Sequence, residues 1–325
     1  MTATVTPSTL LGPAADAIRR RVADRIVGLG DVTDLLLVSL FSGGHSLLVG
    51  VPGLAKTTLV RAVADALDLS FKRIQFTPDL LPSDITGAEG LVDDPETGER
   101  TLVFVKGPVF AHLLLADEIN RTPPKTQAAL LEAMEERSVT VGGVVHRLEA
   151  PFCVLATQNP IEQVGTYPLP TAQLDRFLFL VNIDYPARDD EARIVKMTVS
   201  PPRPDGSLPL VRRDDVLAAR EAIHDQPAPA AVVAEAVRLA RLTRPDGDVP
   251  DLVKRYVEYG ASPRAAQQLV RAAKARAALR GVPAAEIADV RALAPHVFRH
   301  RLVMRPAAAV DGIGARDAVD AILKR

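Results

Sequence analysis

The residues whose types and spacing are best suited to chemistry lie in one octapeptide, GVPGLAKT, from Gly50 to Thr57. It follows a short apolar run and opens a helical pattern. In that setting backbone N–H groups and a helix N-terminus cradle a phosphate. The Lys56 ammonium then reaches the β- and γ-phosphates, and the Thr57 hydroxyl is a ligand for Mg²⁺. Gly50, Pro52, Gly53, Leu54, Ala55, Lys56, Thr57 and Thr58 form the nucleotide-contacting set. Ala55 stands where the general pattern has glycine, and its methyl group suits the loop only if φ stays negative and the phosphate does not crowd Cβ. The alternative is an ordinary strand–turn–helix connection. The lysine, the threonine and the flanking elements together disfavour it.

A second group of polar residues punctuates later apolar runs. HLLLADE (112–118) ends in adjacent carboxylates, which at the C-terminal end of a strand in an open α/β sheet point into the ligand crevice. Asp117 would hold Mg²⁺ through water, and Glu118 would act as general base on the attacking water. FCVLATQNP (152–160) ends in Asn159, whose amide suits the attacking water or the γ-phosphate; alone it reads as a turn residue before Pro160. Arg176 precedes the last apolar run, and its alternative is a helix-terminal salt bridge with Asp175 or another acid. Arg264 falls in the first turn of a helix with Ser262 as N-cap and Pro263 at the first position. A cation there opposes the helix dipole, which a phosphate partner would explain. Cys153 reads as a small buried hydrophobe and His45 as a packing residue ahead of the first strand.

These groups need a scaffold. The apolar runs at 46–49, 71–76, 112–116, 152–157 and 177–183 are short and bounded by polar or breaker residues, so each reads as a strand buried on both faces. Helical patterns lie between them, notably at 57–67 and 124–136, and a further one runs over 16–40 with a break near Gly28 and Gly30. Alternating strands and helices predict an α/β core with a mainly parallel five-stranded sheet. Residues 88–104 and 138–149 read as β-hairpin inserts. After Pro186 only helical periodicity remains, at 213–224, 229–243, 252–259, 263–280 and 284–303. The predicted organisation is a mobile N-terminus (1–15), an α/β core (16–185), a Pro-rich linker (186–210) and an all-helical domain (211–325).

The chain has 325 residues, enough for about two domains. Its 39 basic and 40 acidic residues leave a net charge of −1, which disfavours a general polyanion binder. Aromatics make up 4%, with no tryptophan, so base stacking has little support. A single cysteine forms no intramolecular disulfide, no apolar run is long enough to span a membrane, and the N-terminus lacks the order of a secretory signal. A cytoplasmic protein without membrane insertion is expected.

Taken together, GGHSLLVGVPGLAKT, FTPDLLPSDITG, KGPVFAHLLLADEINRTPPKTQAALLEAMEE, ATQNPIEQVGTYPLPTAQLDRF, YGASPRA and VRALAPHVFRHR resemble the MoxR family of AAA+ ATPases, in family order over about residues 26–302. The resemblance implies a P-loop AAA+ core followed by a helical lid. It implies that Lys56, Thr57, Asp117 and Glu118 serve ATP and Mg²⁺, that Asn159 and Arg264 are the first and second sensors, and that Arg176 is an arginine finger given to a neighbouring subunit. It places Ile26, Val27 and Gly28 against adenine, with Leu29 where the family often has glutamine. Without an NKxD-type guanine motif, ATP is favoured over GTP.

The function the resemblance implies is Mg²⁺-dependent ATP hydrolysis by a ring, a hexamer by family habit. Such a ring remodels or activates a protein partner, with von Willebrand factor A domain proteins as the partners best known for the family. The alternatives are a nucleic-acid motor, a metal-chelatase-type ATPase subunit and a nucleotide-gated scaffold. The near-zero net charge, and Arg147 with His146 as the only basic candidates on the second hairpin, disfavour nucleic acid.

Overall fold

Neighbouring residues of each inner apolar run face opposite sides of one sheet, which is why those runs have so few polar positions. The computed structural model describes residues 7–51, 53–93, 100–160, 165–199 and 209–325. Its first half contains α1 (Pro7–Ala23), α2 (Gly30–Ser42), β1 (Ser46–Val49), α3 (Lys56–Ala66), β2 (Phe71–Gln75), α4 (Pro82–Thr86), β3 (Gly87–Asp93), β4 (Arg100–Lys106) and β5 (Leu113–Asp117). There follow α5 (Pro124–Glu136), β6 (Ser138–Val141), β7 (Val144–Arg147), β8 (Cys153–Gln158), α6 (Thr171–Leu174), β9 (Phe179–Asn182) and α7 (Arg188–Val199). The C-terminal region has α8 (Arg213–Asp225), α9 (Ala230–Leu242), α10 (Asp251–Tyr256), β10 (Val257–Tyr259), α11 (Pro263–Leu279), α12 (Ile287–Phe298), β11 (Val303–Met304), α13 (Pro306–Val310) and α14 (Ala315–Leu323).

The five-stranded sheet has the order β2-β5-β8-β1-β9, and all its pairings are parallel. Leu48, Leu113, Leu115, Cys153 and Leu155 face one apolar cluster, and Leu47, Leu114, Ala116, Val154 and Ala156 face the other. The first cluster runs without a break into the C-terminal helices, reaching Leu269, Val297 and Ile322. The sheet and the helical region therefore share one core. His45 ties the second layer together from within: its Nδ1 accepts the Val154 N–H at 2.9 Å, and its Nε2 faces Met134 O at 3.2 Å.

Several sequence expectations are corrected. β2 is an edge strand rather than one buried on both faces, because among the described residues it pairs only with β5 and its FKRIQ sequence leaves Lys72, Arg73 and Gln75 exposed. Residues expected to be a loose N-terminus belong to α1 from Pro7 onward, since Leu11, Ala15, Ile18 and Val22 make a buried helical stripe. The expected linker contains α7, whose first turn carries Asp189, Asp190 and Glu191, favourable at a helix N-terminus. Residues 1–6 and 200–208 lie outside the described residues. Val257–Tyr259 is not helical but pairs antiparallel with Val303–Met304, and Ser262 occupies the N-cap position of α11 without a side-chain capping bond. The stretches expected as hairpins contain the antiparallel pairs β3–β4 and β6–β7, with residues 94–99 outside the described set.

Candidate functional site

Parallel strands place all their C-terminal ends at one edge, and the order β5-β8-β1 sets the chemistry side by side there. Gly50 leaves β1 with its N–H bonded to Gln158 O at 3.2 Å. A β-carbon on Gly50 would lie 2.6 Å from Ile183 O, so only glycine permits this approach to the end of β9. Gly53 has φ +85° with open space around it, and Leu54 packs against the first core cluster. Ala55 caps α3 with φ 53°. This overturns the negative φ expected of it. A left-handed alanine costs roughly 1–2 kcal/mol, and the Ala55 side chain is exposed. Lys56 is half-buried and donates from Nζ to Gly50 O at 2.6 Å. Burial lowers its pKa from the ordinary lysine value, while the Asp117 and Glu118 carboxylates pull it back up. Thr57 is half-buried and Thr58 exposed at the start of α3, and Pro52 lies outside the described residues.

Two strands away, Asp117 and Glu118 end β5. A buried threonine on the intervening β8 connects them: Thr157 Oγ1 donates to Asp117 Oδ1 at 2.5 Å and accepts the Glu118 N–H at 2.8 Å. Glu118 has φ 57°, so its backbone leaves the strand in the left-handed region and its side chain is turned by that bend. On the outer side, Arg73 holds Asp117 Oδ2 through Nη2 at 2.7 Å and Nε at 3.1 Å. Arg73 also donates to Gln75 Oε1 at 2.6 Å, and Gln75 Nε2 donates to Glu118 Oε2 at 2.9 Å. Arg121 Nε meets the same Glu118 oxygen at 3.0 Å. Asn159 is buried just beyond β8, so β8 brings it to the same edge as the carboxylates.

The two remaining arginines gather elsewhere. Arg176 lies just ahead of β9, at the sheet's edge, and its Nη2 meets Glu135 Oε2 at 2.9 Å. Arg264, in the first turn of α11, meets Glu135 Oε1 at 2.8 Å and Asp175 Oδ2 at 3.8 Å. Both line a cavity of about 350 Å³ whose walls include none of the described residues 50–58, nor Asp117 or Glu118. Arg301 fixes the chain that carries Arg176. It is buried, its Nε meets Asp175 Oδ1 at 2.7 Å, and its Nη2 donates to Asp175 O at 3.1 Å and Phe177 O at 2.5 Å. His300 Nε2 faces Phe177 O at 3.1 Å as well. Ile26, Val27 and Gly28 line a separate cavity of about 380 Å³, which Leu29, Asp34 and Arg193 also wall.

Residues 45–179 match the profile of the ATPase family associated with various cellular activities, and residues 250–322 match the AAA lid domain. The chain is 42% identical to the chaperone MoxR1 of Mycobacterium tuberculosis over 301 residues, covering 92% of this chain and 78% of that protein. It is 40% identical to YeaC of Bacillus subtilis over 314 residues, covering 97% and 93%. A crystal structure of a Cytophaga hutchinsonii protein classed as an ATPase superposes with a TM-score of 0.87 at 37% identity, covering 98% of this chain and 96% of that one. The chain belongs to the MoxR family of AAA+ ATPases.

Within this MoxR-family fold, several residues around the site escaped the sequence reading. Thr157 had a local signal, a hydroxyl in an otherwise apolar stretch of β8. Arg73 and Gln75 had a weaker one, polar residues in a run read as fully buried. Glu135 and Arg301 had none, because their roles depend on contacts between segments far apart in sequence.

Proposed function

We propose that this MoxR-family chain hydrolyses ATP with Mg²⁺ in a ring whose active sites are completed between subunits, and that hydrolysis drives the remodelling or activation of a protein partner. The observation that carries this reading is the division of the polar residues. Lys56, Asp117, Glu118 and Thr157 gather at one edge of the sheet, whereas Arg176 and Arg264 share Glu135 on another cavity wall.

The oxygen donors suit Mg²⁺: a helix-start hydroxyl at Thr57 and a strand-end carboxylate at Asp117, whose Oδ1 accepts from Thr157 and whose Oδ2 is paired with Arg73, would hold the ion with its waters, Arg73 giving way to it. When bound, the ion neutralises charge on the transferring phosphate. Lys56 exchanges the Gly50 carbonyl for phosphate oxygens. Glu118, oriented by Gln75 and Arg121, accepts the proton of the attacking water, and Asn159 positions that water. Arg176 and Arg264 together meet the neighbouring subunit's γ-phosphate, where charge spreads over its equatorial oxygens. Ile26, Val27 and Gly28 offer an apolar wall to the base.

The similarity to a relative named as a chaperone supports a protein partner, with von Willebrand factor A domain proteins as the class to try first. The hairpins support it further. Leu91, Leu102, Val105, Val144 and Val145 are exposed on their arms, a surface better suited to protein than to a phosphodiester backbone. Glu118→Gln tests the reading: ATP binding is retained, hydrolysis falls about 10²–10⁴-fold, and partners stay bound longer. Hydrolysis at the unmodified rate contradicts it.

A further inference from the structure

Three guanidinium groups converge on the C-terminus of α2. A β-carbon built on Gly43 would lie 2.5 Å from Arg220 Nη2, 3.4 Å from Arg271 Nη2 and 3.5 Å from Arg137 Nη2. The three come from separate elements, α8, α11 and the residue that ends α5. Two of them have a structural reason to be there. Arg271 donates to Ser42 O at 2.7 Å and Arg137 to Gly43 O at 3.2 Å, satisfying carbonyls at the negative end of the helix.

Arg220 has no such reason. Among the described residues it has no hydrogen-bond or ion-pair partner, although it is half-buried beside two other cations. Burial pushes its pKa down to about 10, with Arg137 and Arg271 pushing the same way. A cavity of about 260 Å³ opens here, lined by Arg137, Arg220, Arg271 and Lys274, with Glu221 its single carboxylate. Lys274 is engaged with His224 O at 2.8 Å. Grouping cations without counter-charge is unfavourable unless an anion joins them. Forked guanidinium donors arranged around one point match an oxyanion of high charge better than a lone carboxylate.

We propose that this cavity is an oxyanion site for a phosphate-class ion of two or more charges, held by Arg137, Arg220 and Arg271. The site is separate from the phosphate loop. Its ligand bridges the end of α5 to α8 and α11, so occupancy fastens the helical region to the sheet. The ion is either free inorganic phosphate, a product of ATP hydrolysis, or the terminal phosphate of a nucleotide.

The test uses the full chain carrying Lys56→Ala, which disables the phosphate loop, with and without Arg220→Gln. Inorganic phosphate and ATP are titrated separately by calorimetry, and melting is followed in phosphate against chloride at matched ionic strength. The expected result is phosphate binding that Lys56→Ala leaves unchanged and Arg220→Gln weakens about 10–100-fold. Phosphate should raise the melting temperature of the parent but not of the Arg220→Gln protein. Binding of ATP alone, lost with Arg220→Gln, assigns the same site to a nucleotide phosphate. Arg220→Gln should melt no lower than the parent without phosphate, because it removes an unpaired charge. If it does not fold, Arg220→Lys, which keeps charge but not the fork, carries the same comparison. Binding by neither ligand, or binding indifferent to Arg220, overturns the proposal and leaves the cluster as a helix cap.

Discussion

Arg176 and Arg264, one at the edge of the sheet and one in the helical region, hold opposite oxygens of a single carboxylate, Glu135. The hydrogen bond from Arg264, with the charge of both guanidiniums, keeps the Glu135 carboxyl below its usual pKa. One negative charge between two positive ones leaves a net cation facing the cavity. Two arginines expected to serve ATP are thus presented as a unit, and the cavity they share is lined by none of the described residues 50–58.

Thr157→Val should separate binding from chemistry. The substitution keeps shape but removes the donor to Asp117 and the acceptor for the part-buried Glu118 N–H, at a cost of about 1 kcal/mol or more. ATP affinity should change little, and hydrolysis should fall by about tenfold or more. Unchanged turnover in a steady-state phosphate-release assay would remove Thr157 from the site.

Arg301 acts as a positioning residue through Asp175 and Phe177. Arg301→Lys retains a cation for Asp175 and loses the fork that grips the carbonyls, so turnover should drop with little change in KM for ATP. Its defect belongs to the Arg176 side of the site. Mixed with Lys56→Ala subunits it should recover activity, and mixed with Arg176→Ala subunits it should not. Recovery with both, or with neither, would make Arg301 a general stabiliser.

Acid should weaken the fold before carboxylates are fully protonated. Burial pushes His45 down to about 3 and His296 to about 4, and holds His300 well below the ordinary histidine range. The unfolded chain binds these protons near pH 6.5 and the folded chain does not. The stability they contribute is therefore complete above about pH 6.5 and is lost as pH falls toward 4 and then 3. Urea midpoints measured from pH 7.5 to 4 should decline continuously. A midpoint that held steady or rose on acidification would contradict this.

What could be read from the sequence was what is local. The phosphate loop is contiguous, and its strand–loop–helix setting is written in the residues on either side of Lys56. The end of β5 was legible for the same reason, since an apolar run stopping at two carboxylates has few other meanings beside such a loop. Thr157 was missed because its importance comes from lying between β5 and β1 in the sheet order, which chain order does not reveal. β10 and β11 were missed because each is very short and flanked by helices, so pairing rather than periodicity defines them. Ala55 shows the opposite limit. The sequence flagged the position, but not the left-handed φ of 53° that Ala55 takes at the head of α3.

In the proposed ring, Arg176 of one subunit serves the next subunit's ATP. Arg176→Ala should bind ATP nearly normally and hydrolyse it poorly, by roughly 10³–10⁵-fold if the finger carries its usual weight. Lys56→Ala should lose ATP binding. The decisive measurement is the ATPase rate of the two variants mixed, after subunit exchange has been verified by labelled protein. An intact pocket from one variant then meets an intact finger from the other, and activity should rise above either variant alone. No recovery in rings proven to be mixed would place Arg176 in its own subunit's salt bridge with Glu135 and contradict the account.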